Sequence, residues 1–307
     1  MLSVLFPGQG SQSVGMCKEF YDNFEYVKNL FKEADDILKI NITKMILEGP
    51  KENLNLTENT QPAIFLTSYS IFKVLNQESN LDLSKAKFYA GHSLGEYSAL
   101  ACAGSLTFQE TLELLKARGQ AMQNAVPKGK GGMMAVLGET IDSINNIIDT
   151  NSTKFQCFVA NDNSPGQQVL SAFQEDIEKL SKILDEKKIK YIILPVSAPF
   201  HCPLMKSASE IMQYKIQKTH FKDPNINIVS NVTATSTINS GEIKKLLVQQ
   251  IEKPVRWRES ILNIINNGVK EFVEIGPGKV LSGLVKRIDR NIKTHQINSL
   301  SDLEKKF

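Results

Sequence analysis

Cysteine is scarce and scattered: the 307-residue chain has four, Cys17, Cys102, Cys157 and Cys202, with no C-x-x-C pair. That spacing excludes a disulfide-dense scaffold and predicts reduced thiols in a cytoplasmic protein. Histidine is equally sparse, four residues without metal-ligand spacing, so no metal site is expected. A dominant charge is lacking too: 36 Lys and Arg stand against 33 Asp and Glu, for a formal net charge of +3. Nucleic-acid binders carry denser basic stripes, so no nucleic acid is expected, although a mild positive balance favours an acidic protein partner. No apolar run approaches the ~20 residues of a membrane span. The opening segment Leu2–Phe6 is too short for a secretion signal and lacks a basic lead. Repeats and low-complexity tracts are likewise missing. With 41% hydrophobic and 22% charged residues, the composition is that of a globular protein.

The length suits one large domain with an insertion, or two modest ones. Leu2–Phe6 reads as a buried strand entering the Gly-rich turn Pro7-Gly-Gln-Gly10. Phe20, Phe24, Val27, Phe31, Ala34 and Leu38 recur at helical steps. Thr60 and Pro62 are expected to open a second helix over Ala63–Leu75. A strand near Lys87–Ala90 precedes Gly91-His-Ser-Leu-Gly95 and the small-residue helix Glu96–Ala103. Thr107 and Glu110 form a capping box for a helix running to about Asn124. Between Gly131 and Val196 the rhythm changes to strand, helix, strand, strand, helix, strand, with Asn-Ser-Pro-Gly separating the middle strands. That βαββαβ order is the ferredoxin-like pattern. Alternating strands and helices resume after His201, as in a mainly parallel sheet covered on both faces. The expected organisation is α/β: a large domain from residues 1–126 and 197–307, with a small ferredoxin-like subdomain, 127–196, inserted.

Gly91-His-Ser-Leu-Gly95 fits G-x-S-x-G, the nucleophile elbow. Its sharp strand-to-helix turn exposes the Ser93 hydroxyl and offers the Leu94 backbone N–H to an oxyanion. The loop after the first strand lacks P-loop chemistry; a backbone N–H from Gln9 fits a second oxyanion donor. His201, in Ser197-Ala-Pro-Phe-His-Cys-Pro203, falls at the domain junction and is the candidate base. His220, His295 and His92 have weaker claims, since the His92 side chain should leave the turn in another direction. At ~100° per residue, Arg118 lies on the apolar side of its helix with Leu114, Leu115, Ala121 and Met122. A guanidinium there needs a partner, either an internal carboxylate or one brought by a substrate.

Several ordered stretches carry a wider resemblance: Phe6-Pro-Gly-Gln-Gly-Ser-Gln12, Gly91-His-Ser-Leu-Gly-Glu-Tyr-Ser-Ala99, Arg118-Gly119, Asn161-Asp-Asn-Ser-Pro-Gly166, Phe200-His201, Pro254-Val-Arg-Trp257 and Glu274-Ile-Gly-Pro-Gly278. From end to end the chain resembles the malonyl-CoA:acyl carrier protein transacylase family of type II fatty acid synthesis, related to polyketide synthase acyltransferase domains. The resemblance implies an α/β-hydrolase-like core and ping-pong transfer of malonyl from coenzyme A to a phosphopantetheine thiol of acyl carrier protein. It implies Ser93 as nucleophile, His201 as base and acid, and Gln9 and Leu94 as the oxyanion hole. Arg118 is then the malonyl clamp, with His92 and Asn161 beside the substrate. Gln250, next to a similar Gln249, matches the position that orients the histidine through its carbonyl. Asn163 falls in the same motif as Asn161. The family implies no cofactor beyond its substrates, and a monomer is expected.

Two other readings use the same residues. A thioesterase or lipase-like hydrolase would place an acid between serine and histidine, and Asp185 and Glu186 are available. A noncatalytic carrier-protein binding module would leave elbow, histidine and arginine without work.

Overall fold

The computed structural model describes residues 1–196 and 198–304. Ser197, at the expected domain boundary, and residues 305–307 lie outside them. The chain begins with β1 (Leu2–Phe6), α1 (Lys18–Asn23), α2 (Glu25–Leu38), α3 (Ile42–Leu47), α4 (Lys51–Leu54) and α5 (Thr57–Glu78). Then come β2 (Phe88–Gly91), α6 (Gly95–Cys102) and α7 (Phe108–Asn124), followed by β3 (Gly131–Leu137), α8 (Ile141–Thr150), β4 (Cys157–Ser164), β5 (Gln167–Phe173), α9 (Gln174–Glu186) and β6 (Lys190–Ile193). The remainder is α10 (Lys206–Lys218), β7 (Asn227–Val229), β8 (Ser236–Thr237), α11 (Ser240–Gln250), α12 (Trp257–Asn266), β9 (Glu271–Ile275), α13 (Val280–Ile288) and β10 (Lys293–Ile297).

Six strands form one sheet in the order β10-β9-β1-β2-β7-β8, parallel throughout except for β8. Apolar clusters cover both faces. Val4 and Phe6 of β1 point into the larger cluster with α5 and α7, and Leu5 into the other with Trp257, Ile261 and Leu284. This is the period-two alternation of a strand buried on both sides. A second, antiparallel sheet runs β4-β5-β3-β6 and carries α8 and α9. Met134, Val136 and Leu170 face those helices, whereas Met133, Ala135 and Val169 join the larger cluster, so both faces of the small sheet are buried.

Four details differ from the sequence expectations. The first amphipathic stretch is two helices, broken at the extended Phe24. The deeply packed helix α5 starts at Thr57 rather than near Thr60, so Pro62 falls inside it. The Thr60 hydroxyl donates to the Leu54 carbonyl at 2.6 Å and Asn59 Nδ2 to Asn53 O at 2.9 Å, tying this first turn to the preceding helix. Strand β4 continues through Asn161-Asp-Asn-Ser164, leaving only Pro165-Gly166 as the turn to β5. The short helices α3 and α4 carry no strong sequence signal and went unpredicted.

The small sheet is fastened to the large one through β4. Asn161 forms a parallel bridge with Val255, whose N–H donates to Ala160 O at 2.8 Å and whose carbonyl accepts from the Asp162 N–H at 3.0 Å. Arg258 Nε pairs with Asp162 at 2.8 Å. On the other side of the seam, a side chain on Gly131 would collide with Pro199.

A severe packing constraint between β1 and α6 lies at Gly95, where an added Cβ would strike the Phe6 carbonyl oxygen of β1. Gly129, by contrast, has φ +80° but open space around it. Gly129→Ala should therefore cost about 1 kcal/mol, the left-handed backbone penalty alone. Gly95→Ala should cost about 3 kcal/mol or more, because backbone must move. Urea unfolding of both variants checks this, and equal losses would show that the β1–α6 contact yields.

Candidate active site

Strand β2 ends on Gly91 and helix α6 starts on Gly95, leaving His92, Ser93 and Leu94 to make the turn. Ser93 takes the left-handed backbone, φ +54°, which disfavours a side chain by roughly 1–2 kcal/mol. A Cβ at Gly91 would collide with the Gly95 carbonyl group, so the turn needs glycine on both flanks. Asn231, in the loop after β7, braces it. Its Oδ1 accepts from the Ser93 N–H at 2.7 Å and its Nδ2 donates to Gly91 O at 2.7 Å.

Ser93 Oγ lies 2.8 Å from His201 Nε2. His201 Nδ1 lies 2.7 Å from the Gln250 backbone carbonyl. A carbonyl only accepts, so Nδ1 carries the proton and Nε2 is left to accept from the serine. His201 is itself left-handed, φ +57°, and Ser171 of the small sheet holds the preceding residue through a 2.6 Å bond to Phe200 O. Strained backbone at both members of the pair is the pattern of a site over-determined by its surroundings. Burial, then the nearby Arg118 charge, pushes the imidazole down to about 3, so it stays neutral. The acids that a hydrolase triad would need are elsewhere: Asp185 is exposed on α9 and accepts from Tyr191, and Glu186 is exposed beside it. Gln250, not Gln249, is the residue at the histidine.

Arg118 is 1% exposed. Nη1 donates to Gln61 Oε1 at 2.8 Å, and Nη2 to Gln250 Oε1 at 2.8 Å and Ser93 Oγ at 3.1 Å. Tyr97 presents its ring 5.6 Å from the guanidinium carbon. The Nε–H has no partner, and no carboxylate contacts the guanidinium among the described residues. The internal salt bridge that the apolar helix face allowed is therefore not formed. Burial lowers the affinity of this guanidinium for its proton.

One cavity of about 210 Å³ brings together Gln9, Leu94, Ser93, His201, Arg118 and Asn161. His92 also lines it: the ring stacks obliquely on Trp257 at 5.4 Å, and Nε2 meets Asn163 Oδ1 at 2.8 Å. Burial depresses the His92 pKa, with the Asn163 bond opposing. The asparagines reach the cavity because β4 is irregular between Val159 and Asn161 and between Asp162 and Ser164. Bulges of this kind re-aim side chains at site edges. All eight predicted site residues thus converge. Asn231, Gln61 and Glu96 were missed. Asn231 and Gln61 carry no local signal, but Glu96 is a lone charge in an otherwise small, apolar helix and could have been flagged.

The acyl transferase domain family matches residues 4–301. The malonyl CoA-acyl carrier protein transacylase of Bacillus subtilis (strain 168) is 41% identical over 305 residues, covering 99% of this chain and 95% of that protein. The acyl-carrier-protein-S-malonyltransferase structure from Bartonella henselae superposes with a TM-score of 0.95 at 39% identity, over 99% of this chain and 97% of that one. A malonyl-transacylase solved in complex with its type II PKS acyl-carrier protein gives a TM-score of 0.93 at 36% identity, over 98% and 97% of the two chains.

Removing the Asn231 brace leaves two buried backbone groups unpaired at the elbow. Asn231→Ala should lower unfolding free energy by about 2–6 kcal/mol, from ~1–3 kcal/mol for each of the two orphaned groups. It should also slow serine acylation in single-turnover assays. Unchanged values for both would remove Asn231 from the elbow's support.

Proposed function

The chain belongs to the acyl transferase domain family, and on that premise we propose that it moves a malonyl group from malonyl-CoA to the phosphopantetheine thiol of acyl carrier protein, supplying fatty acid synthesis. One observation carries the choice of acyl group: a buried guanidinium with an unpartnered Nε–H sits 3.1 Å from the nucleophile, in the same cavity. A fixed cation there suits an acyl chain that brings its own carboxylate, which a guanidinium can grip bidentately.

In the proposed mechanism Ser93 Oγ attacks the thioester carbonyl carbon while its proton passes to His201 Nε2. The Gln250 carbonyl holds Nδ1–H and supports the imidazolium as it forms. Negative charge on the carbonyl oxygen is met by the backbone N–H groups of Gln9 and Leu94, at the N-terminus of α6. The carbon–sulfur bond then breaks, and the leaving sulfur takes the proton from His201. The second half runs in reverse with the carrier's thiol, giving ping-pong kinetics. His92 and Asn161 line the acyl site, with Asn163 fixing the His92 ring. A carbonyl in place of a carboxylate at Nδ1 favours this reading over a hydrolase triad through Asp185 or Glu186.

The mainly parallel six-stranded part corresponds to an α/β-hydrolase-like domain, residues 1–126 and 197–307, and the antiparallel four-stranded part to a ferredoxin-like subdomain, 127–196. Its strand order, β4-β5-β3-β6, supports the second assignment. Malonyl-CoA is a substrate, and the chemistry asks for no resident cofactor. Among the described residues no helix is long and apolar enough to cross a membrane; a cytoplasmic location and a monomer are part of the proposal.

Incubation with malonyl-CoA should add one malonyl mass, mapped to the peptide containing Ser93. Ser93→Ala should abolish the adduct, and His201→Ala should slow its formation about 10²–10⁴-fold, the range for a positioned general base. An adduct that persists in Ser93→Ala would overturn Ser93 as the nucleophile, and water outcompeting the carrier thiol as acceptor would overturn the transfer to acyl carrier protein.

Arg118→Ala should reduce kcat/KM for malonyl-CoA by about 2–5 kcal/mol in transition-state terms while acetyl-CoA turnover holds or rises. A proportional loss for both substrates, with a lower melting temperature, would instead assign Arg118 a purely structural role.

A further inference from the structure

Arg118 has no carboxylate in contact, yet its charge is not isolated. Gln250 Oε1 accepts from Arg118 Nη2 at 2.8 Å, and the Nε2 of the same amide donates to Glu96 Oε2 at 2.8 Å. Glu96 is 2% exposed and also accepts from the Asn231 N–H at 3.1 Å. Guanidinium, amide and carboxylate form a buried line behind the elbow, the amide polarised in the same sense at both ends. An arginine in such a place needs compensating charge nearby. Among the described residues, the ionisable groups acting on Glu96 are Arg118 from α7 and the Tyr97 phenol on its own helix. Gln250 from α11 and Asn231 from the loop after β7 present neutral amides.

A malonyl carboxylate on Arg118 would place a second negative charge near the first. Two buried carboxylates sharing one cation repel, and the weaker acid takes a proton. We propose that Glu96 is the resident counter-ion of Arg118 and surrenders its charge, by taking one proton from solvent, when a substrate carboxylate occupies the guanidinium. Burial already pushes its carboxyl up to about 7, opposed by the Asn231 and Gln250 hydrogen bonds and by Arg118, so the exchange falls within the working pH range. Glu96 is a positioning residue in this scheme. It keeps the arginine charged and oriented between turnovers without competing permanently with the acyl group for it.

This inference rests on the malonyl reading. Acyl transfer from thioester to serine consumes no proton, so uptake during acylation isolates the buried acid. In weakly buffered solution with a pH indicator, malonylation of the wild-type chain should take up about half a proton or more at pH 7.5 and almost none at pH 5.5, where Glu96 is already protonated. Acetyl-CoA, compared per mole of the adduct it forms, should give no uptake, and Glu96→Gln should form the malonyl adduct without uptake. Intact mass in the same samples separates the failures. No malonyl adduct on the wild-type chain sinks the function and this inference with it. A full adduct without uptake, equal uptake with acetyl-CoA, or uptake that survives in Glu96→Gln sinks the counter-ion alone. The wild-type comparison decides even if Glu96→Gln fails to fold.

Discussion

Ser93 is held in a backbone conformation that a serine would not choose, and most of the site follows from what holds it there. The left-handed φ of +54° turns the chain out of β2 and into α6 within three residues. Glycines at 91 and 95 remove the collisions, and the Asn231 side chain satisfies the Ser93 N–H and the Gly91 carbonyl. The outcome is a hydroxyl raised above the sheet, with a helix N-terminus beneath it and the histidine at hydrogen-bonding distance. The strain is small beside the stability of a domain. It persists because displacing Ser93 would also unmake contacts with β1, Asn231 and Gln250.

Gln250 is the residue through which the separate parts of the site meet. Its backbone carbonyl fixes the His201 tautomer, its Oε1 meets Arg118, and its Nε2 reaches both Ser93 O and Glu96. His201, Arg118 and the elbow are therefore all held by one position at the end of α11. The family resemblance suggested only the carbonyl role. The side chain does separate electrostatic work, because an amide can join a cation to an anion without being either.

What the sequence made legible was local. The elbow, the capping box at Thr107, which forms as expected, and the apolar placement of Arg118 are each written within a few neighbouring residues. The start of α5 was misjudged because its first turn is held by bonds back to Leu54 and Asn53, which no helix propensity records. Strand β4 runs through four polar residues that strands usually avoid, pulled in by pairing with Val255 almost a hundred positions later in the chain. Asn231 lies 138 residues from the serine it braces, in a stretch with no motif. Contacts of that separation are fixed by topology, so only the folded chain exposes them.

The seam between the two sheets explains why His201 sits where it does. Phe200 and His201 follow directly on the return from the small sheet, and Ser171 of β5 pins the Phe200 carbonyl. Strand β4 of that sheet is clasped to Val255 and Arg258, so the asparagines on it face His92 from across the cavity. His201 therefore sits at the joint itself, with the Gln250 carbonyl of α11 on its ring and Ser171 of the small sheet on the residue before it. A rotation of the small sheet would pull Asn163 from His92 and strain the Ser171 bond that holds the Phe200 carbonyl beside His201. The backbone bridge at Asn161 and the buried Asp162 end of the ion pair oppose such a rotation. Catalytic geometry in this molecule thus depends on how tightly two sheets are sewn together, as well as on the side chains that line the cavity between them.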